Sequence, residues 1–229
     1  MIKPTKETER YFRFAFLLAL LANQIPFQLA RLLARGKRHY CLALPIDAAV
    51  PFLPWTVFIY FFACFIFWFF LYHRVARLPR QTADRFFCAN LLGKIICFFF
   101  FAFFPTTMTQ PEPNGPGFWE MCMRFVYWVD EPNNLFPSLH CFIAWLCWAG
   151  VRGNKEVSLP WRVSAAVMAV LVCLSTLTVR QHVLPDVFAG ILLGELCYAL
   201  CGLSAVRNVY TRLVDRLMRL VGGGGQTER

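Results

Sequence analysis

The sequence predicts an all-α, polytopic membrane protein, a bundle of six transmembrane helices. Two observations carry this expectation. Hydrophobic residues make up 58% of the 229 and charged residues only 16%, with 25 phenylalanines among them, a balance foreign to soluble domains. The apolar residues also gather into six runs closed by basic or turn-forming residues, as spanning helices require.

The first run, residues 14–33, follows a short basic stretch and is closed by Arg35, Lys37 and Arg38. Its apolar core has the length of a signal-peptide h-region. No small-x-small cleavage site follows, and the helix-compatible pattern continues, so a retained first span is expected. The second run, 55–72, begins after Pro51 and stops at His73, Arg74 and Arg77. The third, 86–104, carries Lys94 among phenylalanines. A lysine inside a span is costly unless its stem snorkels or its head meets a polar interior, which makes Lys94 a candidate substrate-binding residue.

Residues 105–137 form the longest connection, rich in Pro, Gly, Asn and acidic residues, with an amphipathic insert at 118–129. Such a segment suits a lid or a headgroup-facing loop. The fourth run, 139–151, is short for a bilayer; the fifth spans 159–178 and the sixth 184–203. Beyond it, Val206, Val209, Tyr210, Leu213, Leu217 and Leu220 recur at helical spacing opposite Arg207, Arg212, Arg216 and Arg219. That pattern fits an amphipathic helix on the membrane surface or one packed on the bundle. The chain therefore divides into a six-span domain (1–205), an amphipathic helix (206–221) and a Gly-rich flexible tail (222–229).

The formal charge of +10 does not point to nucleic acid, because the basic residues are scattered between apolar runs rather than gathered on one soluble face. Membrane lipids are the expected partners. Sixteen of the 23 Lys and Arg fall in the N-terminus, the second and fourth connections and the C-terminus, and six on the opposite side. The richer side is expected to be cytoplasmic, with both termini there, in a bacterial plasma membrane. Most of the ten cysteines lie inside apolar runs, where they act as small hydrophobes. Only Cys41 and Cys122 fall in outer connections, where one disulfide is conceivable.

Two clusters carry the candidate chemistry. His182 precedes Asp186 by four residues at the mouth of the sixth run, with Pro185 suited to a first helical turn and Asp186 to the favourable end of the helix dipole. An aspartate that orients one imidazole nitrogen leaves the other free as nucleophile or base. Pro137, Ser138, Leu139 and His140 stand at the mouth of the fourth run. The six-span topology brings both clusters to the outer face, and ionisable groups at such mouths are usually functional.

Pro137-Ser138-Leu139-His140, with Ser175, His182 and Asp186 at their spacing, resembles the second and third signature motifs of the type-2 phosphatidic acid phosphatase superfamily. The wording Phe136-Pro137-Ser138-Leu139-His140 is closest to its inositol-phosphorylceramide-synthase-like branch. Leu139 stands where the family has Gly and Thr176 where it has Arg. The first family motif is not found, and Gln110 occupies the place of its arginine. The resemblance implies a lipid phosphate substrate, His182 as nucleophile, Asp186 as its orienter, His140 as acid, and no cofactor or metal. Ser138, Ser175, Thr176, Arg180 and Lys94 are the candidate substrate-binding residues; Arg180, with Arg124 and Lys94 behind it, is the candidate for the cation missing at Thr176 and Gln110.

The cation asymmetry predicts that a cysteine introduced by Asn133→Cys, in a background with the native thiols blocked, reacts with a membrane-impermeant maleimide from outside the cell. Labelling from the cytoplasmic side alone would reverse the orientation.

Overall fold

A computed structural model of the chain describes residues 6–221; the expected tail, 222–229, lies outside them. The chain is all-α apart from one two-residue strand pairing. Helix α1 (Lys6–Ala34) has Glu7 and Glu9 in its first turn and Arg31 in its last, as the helix dipole favours. Residues 57–76 run without a gap through α2 (Val57–Phe62), a π-helical segment (Ala63–Phe67) and α3 (Trp68–Ala76). Helix α4 (Arg80–Phe103) leads into the long connection, where α5 (Phe118–Val129) forms over the amphipathic insert. Three apolar helices follow, α6 (Leu139–Val151), α7 (Leu159–Thr178) and α8 (Leu184–Leu200), and then α9 (Ser204–Val221), which turns by 88° from α8.

Among the described residues, three helices are long and apolar enough to cross a membrane: residues 7–34 of α1, α4 and α7. The bent pair α8–α9 makes a fourth if it is taken as one span. The other expected spans are short or irregular. α6 has 13 residues, and the second run, continuous from 57 to 76, shifts its register at a π-helical segment. Cys41 and Cys122, considered for a disulfide, are both free thiols.

Helix α6 is the centre of the bundle and packs on α3, α4, α7 and α8. Its Phe142 and Leu146 are buried with Phe86 and Phe87 of α4 and Leu71 and Val75 of α3. The α6–α8 contact is backbone-close at the outer end. A Cβ on Gly190 would lie 2.6 Å from the Ser138 carbonyl oxygen and 3.0 Å from Cys141 Cβ, so only a glycine fits. At the inner end buried Asp84 ties three helices, accepting from Tyr11 of α1, Arg80 of α4 and Thr211 of α9 at 2.8 Å each. Arg80 also reaches Asp215 of α9 at 2.7 Å. Burying an aspartate requires such full pairing.

Beside the starts of α6 and α8, strands β1 (Tyr40–Cys41) and β2 (Thr106–Thr107) pair in parallel, and Thr107 bridges to Asn133. Thr106 then accepts from three successive N–H groups, Asn134 at its carbonyl and Leu135 and Phe136 at its hydroxyl. These bonds fix the segment that delivers the chain into α6.

Adding a methyl group at the α6–α8 crossing should therefore be felt. Gly190→Ala is expected to destabilise the protein by about 1–3 kcal/mol, the usual scale for overpacking, seen as a lower Tm in detergent. Gly153→Ala, whose Cβ would meet nothing within 4 Å, should leave Tm unchanged. Equal Tm values for the two variants would contradict the close crossing.

Candidate active site

The break between α7 and α8 is a buried loop of five residues, Val179 to Val183, and its sequence offers no conventional cap. Val183, the residue before α8, has no side-chain acceptor for the free N–H groups that begin a helix. The acceptors come from elsewhere. Asp186 turns its Oδ2 back to the Val183 N–H at 3.1 Å, Asp47 of the first outer connection accepts from Leu184 N–H at 2.8 Å, and Pro185 has no N–H to satisfy. Upstream, the Thr176 carbonyl accepts from both Gln181 and His182 at 3.0 and 3.1 Å.

This loop presents His182. Its Nδ1 lies 3.4 Å from Asp186 Oδ2, which directs Nε2 away from the carboxylate. Burial draws the imidazole toward its neutral form, but the hydrogen bond and charge of Asp186 outweigh it, so the His182 pKa is raised above the ordinary value. The second histidine comes from α6. Ser138 caps that helix, its Oγ accepting from Cys141 N–H at 3.3 Å, while its own N–H donates to the Asp186 carbonyl at 3.1 Å. Each helix start therefore holds the other, and His140, two residues into α6, faces His182 with ring centroids 5.8 Å apart. Tyr60 backs His140 at 4.5 Å between centroids, and the His140 Nδ1 has no protein partner.

Both histidines line a cavity of about 610 Å³ between α1, α3, α5 and the start of α6. Its outer part is polar, with Asn133, Asn134, Gln181 and Asp130, and its inner part is apolar, with Phe16, Leu20 and Phe69. Leu20, Phe69 and Phe125 of its lining are exposed, so the cavity opens to the surface along α1, α3 and α5. Burial holds the Asp130 carboxyl above the usual carboxylate range, partly offset by nearby His182 and by the Tyr60 hydroxyl.

The expected site residues separate into two groups. His140, His182 and Asp186 come together as the spacing suggested, and Lys94 lines the same cavity, although its Nζ donates to the Ala19 carbonyl of α1 at 2.8 Å. Ser138 is fully buried as a cap. Ser175 and Thr176 turn their hydroxyls to the carbonyls of Val172 and Cys173. Arg180 is not brought to the histidines. With φ of +55° it reverses the chain, and its guanidinium donates to the carbonyls of Asp47 and Val50. Gln110 donates to the Arg180 carbonyl at 3.3 Å. Arg180 and Gln110 therefore hold the loop rather than face the cavity. Sequence reasoning missed Asp47, whose contribution crosses more than 130 residues, and Gln181 and Asn134, for which adjacency to His182 and to the Pro137–His140 motif was the only available signal.

A family model described as the PAP2 superfamily matches residues 86–210, a stretch that runs from α4 into α9 and includes both histidines. No curated protein and no solved structure matches the chain.

To act as a nucleophile, His182 must be unprotonated. The acid limb of kcat/KM is expected above pH 6.5, the ordinary imidazole value, and Asp186→Asn should move it to lower pH and reduce turnover by about 10³–10⁴-fold. The same raised pKa stabilises the folded state fully below about pH 6.5, a contribution lost as pH climbs through the folded value. An acid limb that Asp186→Asn does not shift would remove Asp186 from this role.

Proposed function

The chain belongs to the PAP2 superfamily, and from that premise we propose that it is a membrane lipid phosphatase that cleaves a lipid phosphate ester through a phosphohistidine on the extracytoplasmic face. The observation that carries this reading is the pairing of His182, oriented by Asp186, with His140 across one wall of a half-apolar cavity. Nε2 of His182 attacks phosphorus as the bond to the ester oxygen breaks. The electron pair leaves with that oxygen, which takes a proton from His140. Water, deprotonated by His140, then attacks the phosphohistidine, the P–N bond breaks, and His182 is regenerated. The apolar inner half of the cavity suits the acyl or prenyl part of the substrate.

A second reading, transfer of a phosphate-linked headgroup to another lipid, uses the same intermediate with an alcohol in place of water. It is favoured by one specific observation, that cations around the outer half are engaged by protein acceptors. Arg180 and Arg124 donate to backbone carbonyls, and Arg31 pairs with Glu131 at 2.6 Å. A phosphate monoester carries close to two charges at neutral pH, whereas a phosphodiester carries one and asks for less neutralisation.

Purified protein incubated in detergent with labelled phosphatidate, phosphatidylglycerophosphate, polyprenyl phosphate and phosphatidylinositol should cleave at least one of them. Free phosphate marks hydrolysis and a new labelled lipid marks transfer. His182→Ala and His140→Ala should each lower turnover by at least about 10³-fold, the former also abolishing an acid-labile phosphoenzyme. A chelator should leave the rate unchanged. Inhibition by EDTA that a divalent cation restores would overturn this mechanism.

A further inference from the structure

The reading of His182 as nucleophile leaves open what holds the phosphoryl oxygens, since negative charge developing there needs preorganised donors. The candidate cations each already have a protein acceptor. Arg180 and Arg124 are spent on carbonyls, Arg31 on Glu131, and Lys94 on the Ala19 carbonyl. Thr176, which stands at a position where the family has an arginine, bonds to the Cys173 carbonyl.

Two amide side chains of the same cavity are in the opposite condition. Gln181 is 1% exposed and Asn134 5% exposed, and both line the cavity with His140 and His182. Gln181 Nε2 and Asn134 Nδ2 have no protein partner, and neither does Asn134 Oδ1. Buried amide donors are almost always paired, and an unpaired one marks a place where a ligand supplies the acceptor. Their backbones are held firmly while their side chains are not. Gln181 N–H is fixed on Thr176 and Asn134 N–H on Thr106, and Asn134 sits at φ of +60°, a strained conformation of the kind concentrated at functional sites. The reversal at Arg180 explains why adjacent residues diverge: it sends the arginine to the first outer connection and the next side chain, Gln181, into the cavity beside the nucleophile.

We infer that Gln181 and Asn134 bind the non-bridging phosphoryl oxygens of the substrate through their side-chain N–H groups, in the place where cationic side chains would otherwise stand. The inference rests on the phosphohistidine reading above. The carboxamides donate to two oxygens as the phosphorus passes from the ester oxygen to His182, without neutralising the charge they stabilise.

The test uses the full-length protein in detergent and orthovanadate, which adopts the trigonal-bipyramidal geometry of the phosphoryl transition state, with binding measured by calorimetry alongside turnover on the lipid panel. Gln181→Met keeps the side-chain volume and removes the donor. It is expected to weaken vanadate binding and to reduce kcat by about 10²–10³-fold, the effect of losing one transition-state donor, with Tm little changed. Asn134→Gly preserves the positive φ, removes the carboxamide and should weaken both measurements at least about tenfold. If Gln181→Met does not fold, Gln181→Glu, nearly the same shape with a carboxylate in place of the donor, should abolish vanadate binding in a folded protein. Wild-type vanadate affinity in the Gln181 and Asn134 variants overturns the inference, as does a fall in kcat with vanadate binding unchanged, which marks a purely structural role. If those variants behave as wild type while His182→Ala is inactive, the donor assignment falls and the nucleophile stands. Full turnover by His182→Ala removes both.

Discussion

The histidine site depends on one constraint, that a five-residue break between two apolar helices must satisfy every backbone N–H away from water. From Val179 to Val187 every N–H has a protein acceptor, Pro185 having none to satisfy, and the carbonyls of Thr178, Val179 and Arg180 are taken by Leu53, Tyr127 and Gln110. In a low-dielectric setting an unmet backbone group costs several kcal/mol. The loop is consequently pinned from four parts of the chain at once, the first outer connection, α5, the Thr106–Gln110 segment and the start of α6. Asp186 is central because it serves the backbone and the imbalance of charge together: one oxygen holds the Val183 N–H and the His182 ring.

How much of this was readable depends on distance along the chain. The i, i+4 relation of His182 and Asp186 follows from a helix start, so their contact was legible, and the amphipathic repeat at 118–129 marked α5 for the same local reason. Arg180 was misjudged because its direction is set by a left-handed backbone conformation that no residue type announces. Asp47 gave no signal at all, since a carboxylate that caps a helix across 137 residues looks in sequence like any loop aspartate. The six apolar runs were visible, but helix length and register within them, such as the 13 residues of α6 or the π-helical segment at 63–67, are not registered by hydropathy.

The two ends of the bundle solve the burial of polar groups differently. At the inner end Asp84, Arg80, Asp215, Tyr11 and Thr211 close on one another, and Arg152 pairs with Glu195, which also accepts from Trp145. These pairs fasten that end of the bundle, although the Tyr210 hydroxyl beside them is unmet. At the outer end the backbone is as fully satisfied, yet His140, Asn134 and Gln181 keep unmet side-chain atoms. Rigidity of the main chain combined with unmet side chains is the arrangement expected of a preorganised binding site.

The opening of the cavity along α1, α3 and α5, where Leu20, Phe69 and Phe125 belong both to its lining and to the exposed surface, changes what concentration means for this protein. For the lipid substrate proposed above, arrival by that route would be from within the leaflet rather than through bulk water. Saturation is then set by the mole fraction of substrate among its neighbouring lipids, so diluting the same substrate with inert lipid or detergent slows the reaction even when its molarity is held constant.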